Sequence, residues 1–299
     1  MISIPTAQEA VIIAMQHRLK QSERLHPAQR NILQQKSIQS LLQHALNTVP
    51  YYQNHPDIMA MKGDIQWDKF PILTRTELQK NEETLLSNQP PANHGKHYDF
   101  RSSGSTGRPV HTKSTEFAQV YWQAFTFRDH VWAGRDLTGS LAAIKFLPAD
   151  KARFPGIRSN RWGVSPTAFG FNSPSSLLNS SEPLEVQYQW LCEQQPKYLV
   201  TYPSILQELA KIQLRERKLD SLHNVCSMGE NLPPHLRELV MKAFNCRIHD
   251  MYSSQEVGYM ALQCPSSDKY HIQLENCLLE VLDENNQPCA PGQMGRVVV

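Results

Sequence analysis

The sequence predicts an α/β fold with a largely parallel sheet. From about residue 115 onward, helical and strand patterns alternate through short connections, as they do when strands are wound in parallel through helices. Roughly the first hundred residues read as helical. The last stretch reads as strands joined by turns rich in Asn, Pro and Gly, the pattern of an antiparallel extension.

The elements follow in order. Thr6 and Glu9 have the spacing of a capping box, with Pro5 just outside it. Ile38, Leu41, Leu42, Ala45 and Leu46 repeat at helical spacing, and Val49-Pro50 ends that helix. Thr74 and Glu77 form a second capping box before Leu78, and residues 88–95 are a polar, Pro-rich loop. Ser114 or Thr115 caps a long helix through Trp132. Strands are expected at 140–147, 198–201, 225–227 and 247–251, and helices at 184–194, 203–214 and from Pro233-Pro234 to Phe244. The extension would hold strands at 270–275, 277–283 and 296–299. The expected organisation is a helical part over 1–95, an α/β core over 96–265 and a β extension over 266–299.

Composition narrows the function classes. With 40% apolar and 19% charged residues over 299, the chain can bury a large core. A formal net charge of +2 is too small to argue for nucleic acid or an anionic membrane surface. No apolar run approaches a bilayer span. Gln8, Glu9, Gln16 and His17 interrupt the N-terminal stretch where a secretory signal would be continuously apolar, so a cytoplasmic protein is expected. The six cysteines form no CxxC pair and read as free thiols.

Three segments carry chemistry. The first is Ser102, Ser103, Gly104, Ser105, Thr106, Gly107 and Arg108, followed by Pro109. Its glycines let backbone approach a ligand, its hydroxyls and N–H groups suit phosphate oxygens, and Arg108 adds positive charge. Arg108-Pro109 stands where a P-loop NTPase needs Lys-Ser/Thr. The second runs from Asp250, Met251, Tyr252 and Ser253 to Glu256, at the carboxyl end of an expected strand, where α/β sheets bind ligands. Tyr252 can stack on a base, and Glu256 can hold a cation bridging phosphates. The third is Ser227 to Pro233, where Gly229 admits a ligand against the backbone and Glu230 complements a helix dipole.

In this order the three segments resemble the adenylate-forming superfamily, and more narrowly its phenylacetate–coenzyme A ligase and capsular-polysaccharide-biosynthesis branch. The resemblance extends to Val49-Pro50-Tyr51-Tyr52, Phe70-Pro71-Ile72-Leu73-Thr74, Thr201-Tyr202-Pro203-Ser204 and Pro291-Gly292-Gln293-Met294-Gly295-Arg296. It implies the large N-terminal domain of that fold, with mixed sheets flanked by helices. It implies phosphate binding by Ser102 to Arg108 and adenine binding by Gly229, Glu230 and Asp250 to Ser253. Glu256 is the implied catalytic residue and magnesium ligand. Ser253 departs from the glycine common after the aromatic. Because Arg296-Val297-Val298-Val299 ends inside an expected strand, the chain is expected to stop before the family's lid domain, with weak turnover or none.

The implied reaction joins a carboxylic acid to ATP, giving acyl-adenylate and pyrophosphate, then passes the acyl group to coenzyme A or another thiol. ATP and Mg2+ are the implied cofactors. The implied partners are a small carboxylic acid and coenzyme A or a carrier-protein thiol, with a homodimer allowed. A nucleotide-binding module without catalysis is the alternative. Tyr121, Trp122 and Phe125 are the candidate acid pocket, although an aromatic stripe at helical spacing also reads as core. Cys264, His271, Cys277 and His249 are a loosely spaced candidate zinc set that also reads as ordinary buried or surface residues.

Overall fold

The computed structural model describes residues 4–61, 66–101 and 109–299. Helix α1 (Ala7–Ser22) starts at the expected box: Thr6 N–H donates to Glu9 Oε2 at 2.7 Å and Glu9 N–H to Thr6 Oγ1 at 3.3 Å. Helix α2 (Pro27–Thr48) places Pro27 at its first position, where a missing N–H costs nothing, and ends at Val49. It buries Ile38 and Leu42 but leaves Leu41 62% exposed, so its apolar stripe is narrower than the spacing suggests. The short helices α3 (Pro50–Gln53), α4 (Pro56–Ala60) and α5 (Arg75–Lys80) follow, the last with the Thr74/Glu77 box formed.

Strands β1 (His97–Arg101) and β2 (His111–Thr115) pair antiparallel, His97 opposite Thr115. This pair was not among the expected strands: β2 is polar on both faces, and β1 alternates only through Tyr98 and Phe100. Helix α6 (Glu116–Trp132) is capped by Thr115, whose Oγ1 accepts from Ala118 N–H at 3.2 Å. Then come β3 (Leu141–Lys145), β4 (Ile157–Ser159), α7 (Val164–Ala168), β5 (Ser175–Asn179), α8 (Leu184–Gln194), β6 (Tyr198–Thr201), α9 (Pro203–Glu216), β7 (Asn224–Ser227), α10 (Pro234–Phe244) and β8 (Arg247–Ser254). The chain continues through β9 (Gly258–Gln263), β10 (Tyr270–Ile272), β11 (Glu280–Leu282) and β12 (Arg296–Val298).

The described residues divide into two compact units. One comprises Met1–His17, Trp122–Ser253 and Ala261–His271; the other comprises Arg18–Tyr121, Ser254–Met260 and Ile272–Val299. The large sheet has the order β10-β9-β8-β7-β6-β3-β5-β4. Strands β3, β5, β6, β7 and β8 pair in parallel, with β4 antiparallel at one edge. One face packs on α8, α9 and α10 through Trp190, Leu199, Leu206, Leu209, Val225 and Leu236, all fully buried. Burial of side chains this size contributes roughly 1.5–3 kcal/mol each. The opposite face carries Leu141, Ala143, Tyr198, Val200 and Cys226.

In the second unit β11 and β12 form the expected antiparallel extension, Glu280 opposite Val298. Trp67 Nε1–H donates to Glu280 Oε2 at 3.0 Å, which ties the extension to its neighbours. The expected extension strand at 270–275 is shorter than the sequence suggests and joins the large sheet instead. The Tyr270 hydroxyl holds it there, donating to Asp250 Oδ2 at 2.5 Å.

Candidate functional site

The parallel pairing of three strands ends at one level, with Thr201, Ser227 and Asp250 in register, and β8 runs on to Ser254. Asp250 is 7% exposed, and a buried carboxylate must be hydrogen-bonded to persist. Ser227 Oγ–H donates to its Oδ1 at 2.5 Å and Tyr270 Oη–H to its Oδ2 at 2.5 Å. Its own N–H donates to Gln263 Oε1 at 2.9 Å. Burial pushes the carboxyl above its usual range, and the Ser227 and Tyr270 hydroxyls oppose that rise. Asp250 thereby anchors the end of β8. Two residues on, the anchored strand presents Tyr252, 43% exposed. Met251 and Ser253 beside it are half-buried.

At the end of β7, Gly229 adopts φ +75°, and a Cβ there would come within 3.1 Å of the Tyr202 ring. Backbone therefore lies directly on that ring, which only glycine permits. Tyr202 in turn accepts a hydrogen bond from Phe146 N–H at 3.1 Å. Tyr202 was not among the expected site residues, although its segment Thr201-Tyr202-Pro203-Ser204 was part of the family resemblance. The Glu230 carboxylate is committed to a helix other than the one it precedes. It accepts from Ser204 N–H and from Ser204 Oγ–H, both at 2.9 Å, at the N-terminus of α9. The Gly229–Glu230 step thus offers a ligand its backbone.

Glu256 sits in the turn after β8, exposed, and its carboxylate has no protein partner among the described residues. Val257 N–H closes the turn on Ser254 Oγ at 3.1 Å. A single unpaired carboxylate fits magnesium, which keeps most of its coordination for water and phosphate oxygens. The phosphate-loop residues Ser102 to Arg108 lie outside the described residues.

Phe125, expected in the acid pocket or the core, is 1% exposed, with the Arg128 guanidinium 5.5 Å from its ring centre. Tyr121, packed edge-on against Phe117, and Trp122 are half-buried. Among the described residues no three of His, Cys, Asp and Glu gather to hold a metal, so the Cys264, His271, Cys277 and His249 set does not assemble. Hydrogen bonds led by Ser266, with His271 contributing, bring the Cys264 thiol down to about 6. Cys277 instead donates to the Gln273 and Met260 carbonyls.

The sequence profile of the AMP-binding enzyme family matches residues 176–299. An uncharacterized acyl–CoA ligase, YhfT of Bacillus subtilis (strain 168), is 24% identical over 207 residues, 66% of this chain and 39% of that protein. Among solved structures, 2-hydroxyisobutyryl-CoA ligase in the postadenylation state with 2-HIB-AMP superposes at a TM-score of 0.65 with 17% identity, over 91% of this chain and 59% of that one. Its open conformation with 2-HIB-AMP and CoA gives 0.62 and 16%, over 87% and 58%. The chain thus spans less than two thirds of the length of each relative. Its fold is that of the N-terminal domain of adenylate-forming enzymes. The resemblance read from the motifs holds at the level of that superfamily.

Proposed function

We propose that this chain is the nucleotide-binding body of an acid–coenzyme A ligase of the phenylacetate–coenzyme A ligase type. It activates a carboxylic acid with ATP to an acyl-adenylate and hands the acyl group to coenzyme A or another thiol. The observation that carries this reading is the anchored end of β8. Asp250 is locked by Ser227 and Tyr270, Tyr252 is half-exposed two residues beyond, and Gly229 lies with open backbone on the neighbouring strand.

Adenine lies on the Tyr252 ring with its edge toward the Gly229–Glu230 backbone. Glu256 would hold magnesium, which would supply positive charge against the phosphates. Ser102 to Arg108 take the phosphate oxygens. The acid's own carboxylate is the nucleophile, so the protein orients and neutralises without forming a covalent bond. YhfT and 2-hydroxyisobutyryl-CoA ligase support the acid-to-thioester direction by their names and by the bound acyl-AMP and CoA of the latter.

A panel of carboxylic acids scored by melting temperature with ATP and magnesium present tests the reading. Ligands that bind only the native state raise that temperature in proportion to RT ln(1 + [L]/Kd). ATP should raise it alone, and a subset of acids should raise it further. No response to ATP at millimolar concentration would contradict the proposal.

A further inference from the structure

On the face of the sheet opposite α8, α9 and α10, the register aligns Ala143, Val200, Cys226 and His249 across β3, β6, β7 and β8. Because side chains alternate, the next row on that face, two residues on, holds Lys145, Tyr202, Met228 and Met251. Met228 immediately precedes Gly229, and Met251 immediately precedes Tyr252. Met228 and Met251 are half-buried on this face at the carboxyl edge of the sheet.

The charges on this face do not balance. Asp129 is 3% exposed and is paired with Arg135, whose Nη1 lies 2.5 Å from its Oδ2. Arg135 also donates from Nε to Asn224 Oδ1 at 3.1 Å. Arg128 lies over the Phe125 and Trp132 rings. Burial holds His130 down to about 3 and lowers His249 as well, so both imidazoles are neutral at physiological pH. His249 is 9% exposed, and its Nδ1 is buried with no partner among the described residues. Lys145 remains, half-buried, its ammonium without a hydrogen-bond or ion-pair partner among the described residues. Desolvation opposes its charge. A partly desolvated cation with no counter-charge is costly to keep unless a ligand supplies one.

Resting on the acid-activating reading above, we infer that the acid is a dicarboxylic acid whose second carboxylate is held by Lys145, with its chain lying over Met228 and Met251. The geometry orders the two ends. Lys145 stands three strands from Tyr252, about 14 Å at the usual strand spacing. The reacting carboxylate belongs at the nucleotide end, beside Gly229 and Tyr252. Lys145 therefore meets the far end of the acid, and the buried His249 Nδ1 one row below leaves a second polar atom on the same face.

The test uses pairs of non-hydrolysable acyl-sulfamoyl adenosines. The acyl chains run roughly four to eight carbons, the length left to span when a lysine side chain reaching about 6 Å is taken from the strand separation of about 14 Å. Each pair differs only in ending with a carboxylate or a methyl group, and affinity is measured by calorimetry on the whole chain. In at least one pair the carboxylate-ended member should bind about tenfold tighter or more, as expected for a charge-assisted contact. Lys145→Gln should abolish that preference while keeping the affinity of the methyl-ended member, and Lys145→Arg should preserve the preference. Equal affinities across every pair in the parent, or a preference that survives Lys145→Gln, overturns the inference while AMP binding leaves the ligase reading standing. Failure of AMP and of both members of every pair to bind overturns the inference together with that reading.

Discussion

At the scale of single residues, the side chains bonded within the protein differ from those left open to a ligand. Asp250 and Glu230 both fall in the segments the motifs singled out, yet their carboxylates are bonded within the protein, to Ser227 and Tyr270 and to Ser204. Tyr252 and Glu256 are exposed and have no such bonds. Glu256→Gln should therefore leave the melting temperature within about a degree of the parent, since surface changes away from packed features cost under ~0.5 kcal/mol. It should weaken ATP in the presence of magnesium by about tenfold or more and leave ATP without magnesium nearly unchanged. Calorimetry in magnesium and in chelator checks this, and equal magnesium-dependent affinities for the two proteins would remove Glu256 from the metal site.

At the scale of elements, the end of β8 depends on one buried carboxylate. Asp250 is raised above its unfolded value, so the native state binds the extra proton between those two values. Its contribution to stability is present at low pH and is lost as pH rises through the folded value. Removing the two donors with Ser227→Ala and Tyr270→Phe raises the folded value further. The double variant should therefore lose more melting temperature relative to the parent at pH 8 than at pH 5. Equal losses at both would mean that the two hydroxyls only pack.

The elements also show what sequence can carry. The strands delivering Ser227 and Asp250 were legible from their place in the alternation, each following a helical pattern, with Gly229 and Gly258 beyond their ends. Strands β4 and β5 were not: β4 is three exposed residues and β5 opens on Ser175-Ser176, so neither shows alternation. The contact of Tyr202 with Gly229 and the place of Lys145 beside β6 were not legible, because both come from pairing between strands distant in sequence. The Glu230 to Ser204 cap crosses 26 residues and has no local signature.

At the scale of the whole molecule, the unit holding the large sheet keeps a polar network inside it. Asp129, His130, Arg135 and Asn224 are each under 8% exposed, and Arg135 Nη1 lies 2.9 Å from His130 Nδ1. Burial first, and the Arg135 charge second, hold His130 down to about 3. The unfolded chain takes up that proton near 6.5, so acid favours unfolding, and the stability present above about 6.5 is lost progressively as pH falls toward about 3. Melting temperature should fall between pH 7 and pH 5. His130→Gln, which removes the titration at similar size, should flatten that slope even if it lowers the value at pH 7. An unchanged slope would show that other groups govern acid sensitivity.

The most direct measurement of the central claim is a calorimetric titration of the parent and Tyr252→Ala with AMP and with pyrophosphate. Base stacking on an aromatic ring is worth about 1–3 kcal/mol. Tyr252→Ala should therefore weaken AMP by about tenfold or more, leave pyrophosphate nearly unchanged and hold the melting temperature, because the ring is half-exposed. AMP affinity unchanged in a folded Tyr252→Ala protein, or no AMP binding by the parent, would contradict the account.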